Sequence, residues 1–430
     1  MEVKPGYKQT EVGVIPEDWA LAPLVELIDE SRSIRYGIVQ PGKFDPAGRY
    51  MVRGQDYSTG WVAPSELFRV SPQVEEPFKN ARVKTGDVVI TIVGASTGHI
   101  EVIPDWLDGA NLTQTTARLA INPAKAFSGF CKCYLQSAAG QRQVANYLKG
   151  AAQPGLNCGD IEKFRIPLPP TLPEQRAIAT ALSDVDGLLD GLDRLIVKKR
   201  DLKQAAMQQL LTGQTRLPGF SGEWEVKRLG DLFNFSGGYS ASRDQLSTEG
   251  NCYLHYGDIH GSTKTCIDTD ADFQDIPKLD IPLKRVSSAS LLDDGDVVFV
   301  DASEDDAGTS KHVVVVNKSK KPFISGLHTI VAKSKTDELA HEFRRYCFQT
   351  PAIRQQFLFY SVGTKVSGIS KSNIPKLTLS FPSLPEQTAI AEVLTEIDGE
   401  LAALEQRREK TRALKQAMMQ ELLTGRIRLV

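Results

Sequence analysis

Hydrophobic residues recur along two stretches of the chain at alternating spacings of four and three positions. A helix presents one face at this spacing, and a coiled coil uses that face as its seam. The pattern therefore predicts two long helices whose seams pair with each other and dock partner proteins. The seam positions are Ile178, Leu182, Val185, Leu189, Leu192 and Ile196 in the first stretch, and Ile390, Leu394, Ile397, Leu401 and Leu404 in the second.

Both helices carry the same start and stop signals. A hydroxyl residue followed three positions later by glutamate is typical of a capping box, and a glycine commonly ends a helix. The predicted boxes are Thr171 with Glu174 and Ser383 with Glu386, and the predicted ends are Gly213 and Gly425. Mid-helix glycines at 187 and 399 leave two alternatives, a close helix–helix approach or a local kink.

The two stretches are an internal repeat. At an offset of 212 positions, 26 of 46 residues are identical between 172–217 and 384–429. Two near-identical seams favour an antiparallel pair of helices over the alternative in which each seam packs onto its neighbouring domain. Weaker similarity continues into the flanking segments, so the chain alternates variable and repeated parts and its termini should lie close together.

The variable segments are rich in β-branched runs, and helical patterns follow these runs. Val88–Val93 and Val297–Val300 are predicted strands, and short helices are expected within 126–148 and 337–358. The predicted fold class is α+β, with two globular domains separated by two long antiparallel coiled-coil helices in a pseudo-two-fold, cyclic arrangement. The expected boundaries are 1–165 for the first domain, 166–217 for the central helix, 218–380 for the second domain and 381–430 for the C-terminal helix.

Composition narrows the class of protein. The chain has 430 residues, of which 41% are hydrophobic and 24% are charged, as in ordinary globular proteins. No apolar run reaches the ~18 residues of a membrane span, the start does not resemble a secretory signal, and six cysteines are too few for a disulfide scaffold. We therefore expect a cytoplasmic protein without a membrane partner. Its net charge of −2 argues against holding nucleic acid by bulk electrostatics, although local basic patches remain compatible.

Loops at matching places in both variable segments combine glycines with polar and aromatic side chains. Such side chains contact phosphates and base edges, whereas the alternative is ordinary turn chemistry, which uses the same residue types. The candidate DNA-binding residues are Arg32, Arg35, Tyr36, Gln40, Lys43, Arg53, Ser96, Thr97, His99, Gln153 and Asn157 in the first segment, and Tyr239, Ser240, Ser242, Arg243, His255, Tyr256, Lys311, His312, Thr364 and Lys365 in the second.

The sequence lacks the common motifs of catalysis. It contains no dinucleotide-binding glycine fingerprint, no Walker A motif and no methyltransferase tetrapeptide. Cys131 and Cys133 are a lone pair without the further ligands of a zinc site, so buried thiols are expected. The sequence therefore predicts a non-catalytic chain with no cofactor and no metal.

Several motifs together resemble the specificity (S) subunit of type I restriction–modification enzymes. They are Leu-Pro-Pro-x-Leu-Pro-Glu-Gln-x-Ala-Ile-Ala at 168–179, Leu-Pro-Glu-Gln at 384–387, the Leu-Leu-Thr-Gly helix ends, and Ile-Pro-Glu-Asp-Trp at 15–19. The resemblance implies two target recognition domains, each reading one half of a split sequence in double-stranded DNA, with the helices as spacer. It also implies two modification (methyltransferase) subunits docked on the helices and restriction (endonuclease and translocase) subunits joined to that core. Catalysis, S-adenosylmethionine and ATP would belong to those partners.

Two other classes remain open on the residues alone. An independent DNA-binding regulator could share the two-domain plan and would bind tightly without partners. A fused restriction enzyme would need methyltransferase and nuclease motifs that the 430 residues do not contain.

Overall fold

The computed structural model describes residues 4–150, 154–262, 264–303, 311–362 and 367–429. The chain divides into two compact units, unit 1 (Met1–Asp193 with Gln406–Val430) and unit 2 (Arg194–Glu405). Each unit combines one variable segment with parts of two 39-residue helices. Strands and helices are mixed within both units, so the predicted α+β class is confirmed.

The described residues of unit 1 form four small sheets, with strand orders β4-β10-β7-β8, β6-β5-β9, β1-β2 and β11-β3. The strands are β1 Tyr7–Thr10, β2 Gly13–Pro16, β3 Ala20–Pro23, β4 Arg35–Tyr36, β5 Arg49–Val52, β6 Phe68–Val70, β7 Val88–Thr91, β8 Ile100–Val102, β9 Asn111–Leu112, β10 Thr116–Leu119 and β11 Arg165–Leu168. The helices are α1 Leu24–Leu27, α2 Pro72–Glu75, α3 Ser128–Gln136, α4 Ala138–Tyr147, α5 Cys158–Ile161 and α6 Leu172–Leu210, of which 172–193 belong to this unit.

Strand β7 shows why this segment reads as one continuous hydrophobic run. Side chains alternate between the two faces of a strand, and both faces of β7 are covered. Val88 and Ile90 pack into a core that includes Phe130 of α3, whereas Val89 packs into a second core with Val52 and other residues of the three-stranded sheet. All four residues of β7 are therefore buried.

Unit 2 repeats this plan with a five-stranded sheet, β13-β21-β17-β19-β15, beside sheets β16-β14-β20, β18-β23-β22 and β12-β24. The strands are β12 Glu225–Arg228, β13 Phe233–Gly237, β14 Asn251–Leu254, β15 Cys266–Asp268, β16 Lys278–Leu279, β17 Val297–Val300, β18 Ala302–Ser303, β19 His312–Val316, β20 Phe323–Ser325, β21 Thr329–Ser334, β22 Ser361–Val362, β23 Ser367–Ile369 and β24 Thr378–Phe381. The helices are α7 Leu229–Leu232, α8 Tyr256–His260, α9 His341–Cys347, α10 Pro351–Tyr360 and α11 Leu384–Leu422, of which 384–405 belong to this unit.

The long helices pack antiparallel within each unit. In unit 1, Lys415 pairs with Asp186 (Nζ to Oδ1, 2.5 Å) and Arg408 pairs with Asp193 (Nη1 to Oδ1, 3.3 Å). The residue number falls on one helix as it rises on the other, which defines the antiparallel direction. Equivalent pairs occur in unit 2, where Lys203 Nζ lies 2.6 Å from Asp398 Oδ1 and Lys199 pairs with Glu400. The predicted antiparallel pairing is therefore confirmed in both units.

The seams also pack onto the globular cores, so the alternative in which each seam packs onto its neighbouring domain is correct in part. Ile178 and Leu182 are buried in the core of unit 1 together with Leu422 of α11. In unit 2, Ile390 and Leu394 are buried together with Leu210 and with the core of the neighbouring sheet. The remaining seam positions are buried or half-buried: Val185, Leu189, Leu192, Ile196, Ile397, Leu401 and Leu404.

The predicted capping boxes are only half correct. The Glu174 backbone N–H donates to Thr171 Oγ1 at 3.3 Å, as a box requires. The carboxylates of Glu174 and Glu386, however, bind arginines beyond the ends of the opposite helices instead of the cap amides. Arg216 holds Glu386 with two hydrogen bonds of 2.5 Å. Two hydrogen bonds also join Arg428 to Glu174. Bidentate charge-assisted bonds are stronger than a bond to a neutral amide.

The structure also shows where the chain ends lie and what surrounds the mid-helix glycines. Tyr7 Oη donates to the Gly425 carbonyl oxygen at 3.3 Å, and Arg428 pairs with Asp18 at 3.0 Å, so the two ends of the chain are close together, as predicted. The close-approach explanation for Gly187 and Gly399 is wrong, because a Cβ at either position would meet no described atom within 4 Å. Among the described helices, none has the length and apolar character needed to cross a membrane.

Candidate nucleic-acid interface

Both units bring the ends of two parallel strands to one edge. In unit 1, β5 runs parallel to β9, with Val52 opposite Leu112; in unit 2, β14 runs parallel to β20, with Leu254 opposite Ser325. Parallel strands end on the same side of a sheet. The loops that follow these strands are therefore neighbours, and we call this place in each unit the strand-end edge.

A third segment closes this edge in the same way in both units. After β4, Ile38 N–H donates to the Leu112 carbonyl oxygen at 2.7 Å; after β13, Tyr239 N–H donates to the Ser325 carbonyl oxygen at 2.7 Å. The preceding residue is a glycine in both cases. A Cβ would lie 1.9 Å from the Leu112 oxygen at Gly37 and 1.7 Å from the Gly326 oxygen at Gly238. Only glycine permits this approach of the two backbones.

The turn after the first strand is also shared, although its side chains differ. Arg53 N–H donates to Asp56 Oδ2 at 2.8 Å, and His255 N–H donates to Asp258 Oδ2 at 3.2 Å. The aspartate fixes the turn in both units, whereas the residue at its start is arginine in one and histidine in the other. The same scaffold thus presents different chemistry.

In unit 1 the edge surrounds an open groove of about 520 Å³. Arg53 and Ser96, both predicted from the sequence, line it. Polar residues that the sequence did not single out as readers also line it, among them Gln55, Gln114 and Thr115. Gln55 and Gln114 are exposed, and a glutamine amide can bind adenine with two hydrogen bonds in the major groove. The pairing of β5 with β9 is non-local, so no local signal in the sequence marked Gln114.

In unit 2 the edge carries a cluster of aromatic and charged side chains. The ring centroids of His255 and Tyr256 lie 4.6 Å apart. The rings of Tyr256 and His328 meet edge-on, with their centroids 5.5 Å apart. Arg243 approaches both His255 Nδ1 and Asp258 Oδ1 at 3.5 Å. Burial, and then the charge of Arg243, lower the pKa of His255. His328 was not among the sequence candidates.

Several other candidate DNA-binding residues of unit 1 are bonded to, or packed against, other residues of the chain itself. Arg32 Nη1 donates to Asp87 Oδ1 at 2.8 Å, Thr97 Oγ1 donates to the Gly94 oxygen at 2.6 Å, and Asn157 caps α5 through the Asp160 amide. The His99 ring packs 5.6 Å from Tyr57. These contacts are the turn and packing roles that the sequence left open as the alternative. The exposed candidates of unit 1 are Arg35, Tyr36, Gln40 and Lys43.

The candidates of unit 2 divide similarly. His312 requires a correction: its ring is buried between Phe299 and Phe348, and its Nε2 lies 3.2 Å from the Arg344 carbonyl oxygen, so it packs in the core and cannot contact DNA there. Lys311 bonds to the His260 carbonyl oxygen. Tyr239 is half-buried, whereas the exposed candidates are Ser240, Ser242 and Arg243. Gln153, Thr364 and Lys365 lie outside the described residues.

No group of three potential metal ligands from histidine, cysteine, aspartate and glutamate occurs within the described ranges. Burial raises the pKa of Cys131 to about 12 and that of Cys133 to about 11. Both groups are therefore neutral thiols near pH 7, as the sequence predicted for this pair, and all six cysteines are free.

The fold and the duplicated edge agree with comparisons to known proteins. The family model of the type I restriction modification DNA specificity domain matches residues 42–196 and 221–413. The chain therefore belongs to the family of type I restriction–modification DNA specificity subunits and carries two copies of its domain.

Two relatives and one solved structure illustrate this membership. The MjaX specificity subunit, assigned to a type I restriction enzyme of Methanocaldococcus jannaschii, is 25% identical over 98% of this chain and 96% of its own length. The EcoBI specificity subunit of Escherichia coli is 24% identical over 55% of this chain and 49% of its own length. The S subunit structure from M. genitalium shares the fold, with a TM-score of 0.58 at 14% identity and 98% coverage of both chains.

Proposed function

We propose that this chain reads a bipartite target in double-stranded DNA, with residues 1–165 and 218–380 as the two recognition domains. Each domain reads one half-site through its strand-end edge. The observation that carries the proposal is that the two edges share their strand ends, glycine approach and aspartate-fixed turn, yet differ in the side chains they present. Conserved placement with different chemistry is what reading two different half-sites requires.

The partners follow from surfaces that the chain leaves exposed. Leucines on the helix pair face solvent in both units, with Leu188 and Leu414 in unit 1 and Leu195 and Leu202 in unit 2, each between 43% and 55% exposed. Leu188, Leu195 and Leu202 recur at intervals of seven along α6 and therefore lie on one face of that helix. An exposed apolar face marks a protein-binding surface when its residues are contiguous. We propose that two modification subunits dock on the helices and that restriction subunits join this core. Methyl transfer and ATP-driven cleavage would then belong to the partners, and this chain would need no cofactor.

The proposed function also implies a cellular compartment for the complex and a distance between the two half-sites. Because the ligand is DNA, we propose that the complex works in the cytoplasm. The helix pair would act as the ruler that sets the number of base pairs between the half-sites. Its length of 39 residues, at ~1.5 Å per residue, is about 58 Å.

A methyl-transfer assay on reconstituted protein tests whether catalysis belongs to the partner subunits. The chain is incubated with DNA and S-adenosylmethionine, with and without a modification subunit. We expect methylation only when the modification subunit is present. Methylation by the chain alone would overturn the non-catalytic assignment, and tight specific binding by the chain alone would favour an independent DNA-binding regulator.

Sequencing of the methylated bases then tests the reading edge. Gln114→Ala should relax one base pair of one half-site and leave the other half-site unchanged. Gln73→Ala is the matched control, since Gln73 is exposed on α2 of the same unit and does not line the groove. An unchanged recognition sequence in Gln114→Ala, together with unaltered binding, would argue against this edge as the reader.

A further inference from the structure

His328 has an unusual backbone at the strand-end edge of unit 2. Its φ is 58°, in the left-handed region that side chains other than glycine rarely adopt; among the described residues, Lys320 alone shares this feature. Two neighbours hold the conformation. The Asp301 N–H donates to the His328 carbonyl oxygen at 3.1 Å, and Thr329 Oγ1 donates to the Gly326 oxygen at 2.6 Å. Backbone strain of this kind is concentrated at functional sites.

The side chain of His328 is held in one orientation although it is half-exposed. Its Nδ1 lies 3.2 Å from Asp301 Oδ1, and its ring meets the Tyr256 ring edge-on at 80°. The side chain keeps 50% of its surface in contact with solvent. Asp301 follows β17 and Tyr256 begins α8, so two separate elements orient a ring that is open on its remaining side.

The contact with Asp301 fixes which ring nitrogen carries the proton. An ionised carboxylate can only accept, so Nδ1 must be the donor. In the neutral ring, Nε2 is then an acceptor, since each neutral imidazole has one donor and one acceptor nitrogen. Exocyclic amines of adenine (N6) and cytosine (N4) are the hydrogen-bond donors that the major groove offers to an acceptor.

The position of His328 matches a groove residue of the other unit. His328 lies two residues after Gly326, which bridges Tyr239; Thr115 lies two residues after Thr113, which bridges Ile38 in unit 1. Thr115 lines the unit 1 groove. The same scaffold position thus faces the reading edge in both units.

We infer that His328, oriented by Asp301 and Tyr256, reads one base of the half-site of unit 2 by accepting a hydrogen bond from an exocyclic amine of adenine or cytosine. This inference rests on the proposed function, because it assigns one base contact within the strand-end edge. It identifies the chemistry of the contact and the residue that makes it.

Removal of single amines from the DNA tests the contact. The recognised sequence is first obtained by methylome sequencing of cells that carry the system. Competition binding then uses the full complex with modification subunits and duplexes in which one adenine is replaced by purine, or one cytosine by 2-pyrimidinone, in the half-site of unit 2. For the native chain, we expect loss of one particular amine to weaken binding about 10-fold. The analogue that has this effect identifies the base.

The variant His328→Ala should bind the amine-free duplex and the parent duplex equally, within about twofold at that position, and should keep the native response at every other position. His328→Asn protects the test against misfolding, because asparagine tolerates the left-handed region and carries an amide acceptor; it should keep part of the discrimination. His341→Ala is the matched control, since His341 is another exposed histidine of unit 2, 3.9 Å from Asp294, and should behave as the native chain.

Two outcomes separate the inference from the function on which it rests. If His328→Ala loses as much affinity as the native chain at every amine removed, the assignment of His328 is overturned while Gln114→Ala can still alter its own half-site. If neither variant alters either half-site, the proposed reading edge itself is wrong.

Discussion

At the scale of single residues, the glutamates of the two repeated Leu-Pro-Glu-Gln motifs form ion pairs with arginines far away along the chain. Glu386 is 1% exposed and is held by Arg216, and Glu174 is held by Arg428 at the equivalent place in unit 1. The sequence showed that these glutamates recur but suggested a local capping role. Their arginine partners lie 170 and 254 residues away along the chain, so local spacing could not reveal them.

Removal of one arginine should therefore destabilise the protein. Arg216→Ala leaves the buried Glu386 carboxylate without its partner, and we expect a loss in the free energy of unfolding that clearly exceeds that of an exposed ion pair. Urea unfolding followed by circular dichroism measures this loss. The matched control is Arg200→Ala, which breaks an exposed pair with Glu405 and should cost less than about 1 kcal/mol. Equal losses in both variants would contradict a structural role for the Arg216–Glu386 pair.

A second buried carboxylate, that of Glu75, predicts that the stability of the fold depends on pH at acidic values. Hydrogen bonds from Arg82 hold the pKa of Glu75 below its usual value of 4.5, although burial opposes them. A lowered pKa stabilises the folded state above the unfolded-state pKa, and this contribution is lost as the pH falls through the folded-state pKa. We expect Glu75→Gln to be less stable than the native chain at pH 7, and the difference to shrink below about pH 4.5. Urea unfolding at several pH values checks this, with the exposed Glu66→Gln as control; a difference that does not depend on pH would contradict it.

At the scale of elements, helices were predictable and strand pairing was not. The seams, the glycine ends and the 212-residue offset placed α6 and α11 within a few residues, because helical contacts are local in sequence. β7 and β17 were also expected, since their hydrophobic runs are continuous. The parallel pairing of β5 with β9 joins residues about 60 positions apart, so the polar residues that meet at the strand-end edge, such as Gln114, could not be predicted. His312 failed for a related reason, because its strand is covered by α9.

The open space around the mid-helix glycines gives a prediction for these elements. Gly187→Ala and Gly399→Ala add a methyl group that meets no described atom within 4 Å, so each should stabilise its helix by up to about 1 kcal/mol. Thermal unfolding would show a raised midpoint. Gly213→Ala is the contrast, because its φ is 70° and a Cβ would lie 3.2 Å from Trp224, and it should destabilise. Destabilisation by the two mid-helix variants would contradict the open space around Gly187 and Gly399.

At the scale of the whole molecule, the chain is a duplicated scaffold with different contents. The near-zero net charge no longer argues against DNA as ligand, because the proposed reading depends on a few oriented side chains at each edge. It agrees with a subunit that contributes discrimination and relies on partners for much of its affinity.

The ruler proposal makes a separate prediction at this scale. Insertion of four helical residues near 210–212 adds about 6 Å to one helix, or roughly two base pairs of DNA. We expect a longer spacer between two unchanged half-sites, determined by sequencing the methylated DNA. Altered half-sites with an unchanged spacer would contradict the ruler.

The most direct test of the account is an exchange of one recognition domain. Residues 218–380 are replaced by the corresponding segment of another specificity subunit, and the methylated sequence is determined in cells that supply the modification subunit. The account predicts that one half-site changes, while the other half-site and the spacer between them stay the same. A change in both half-sites, or in neither, would contradict the claim that each unit reads one half of the target.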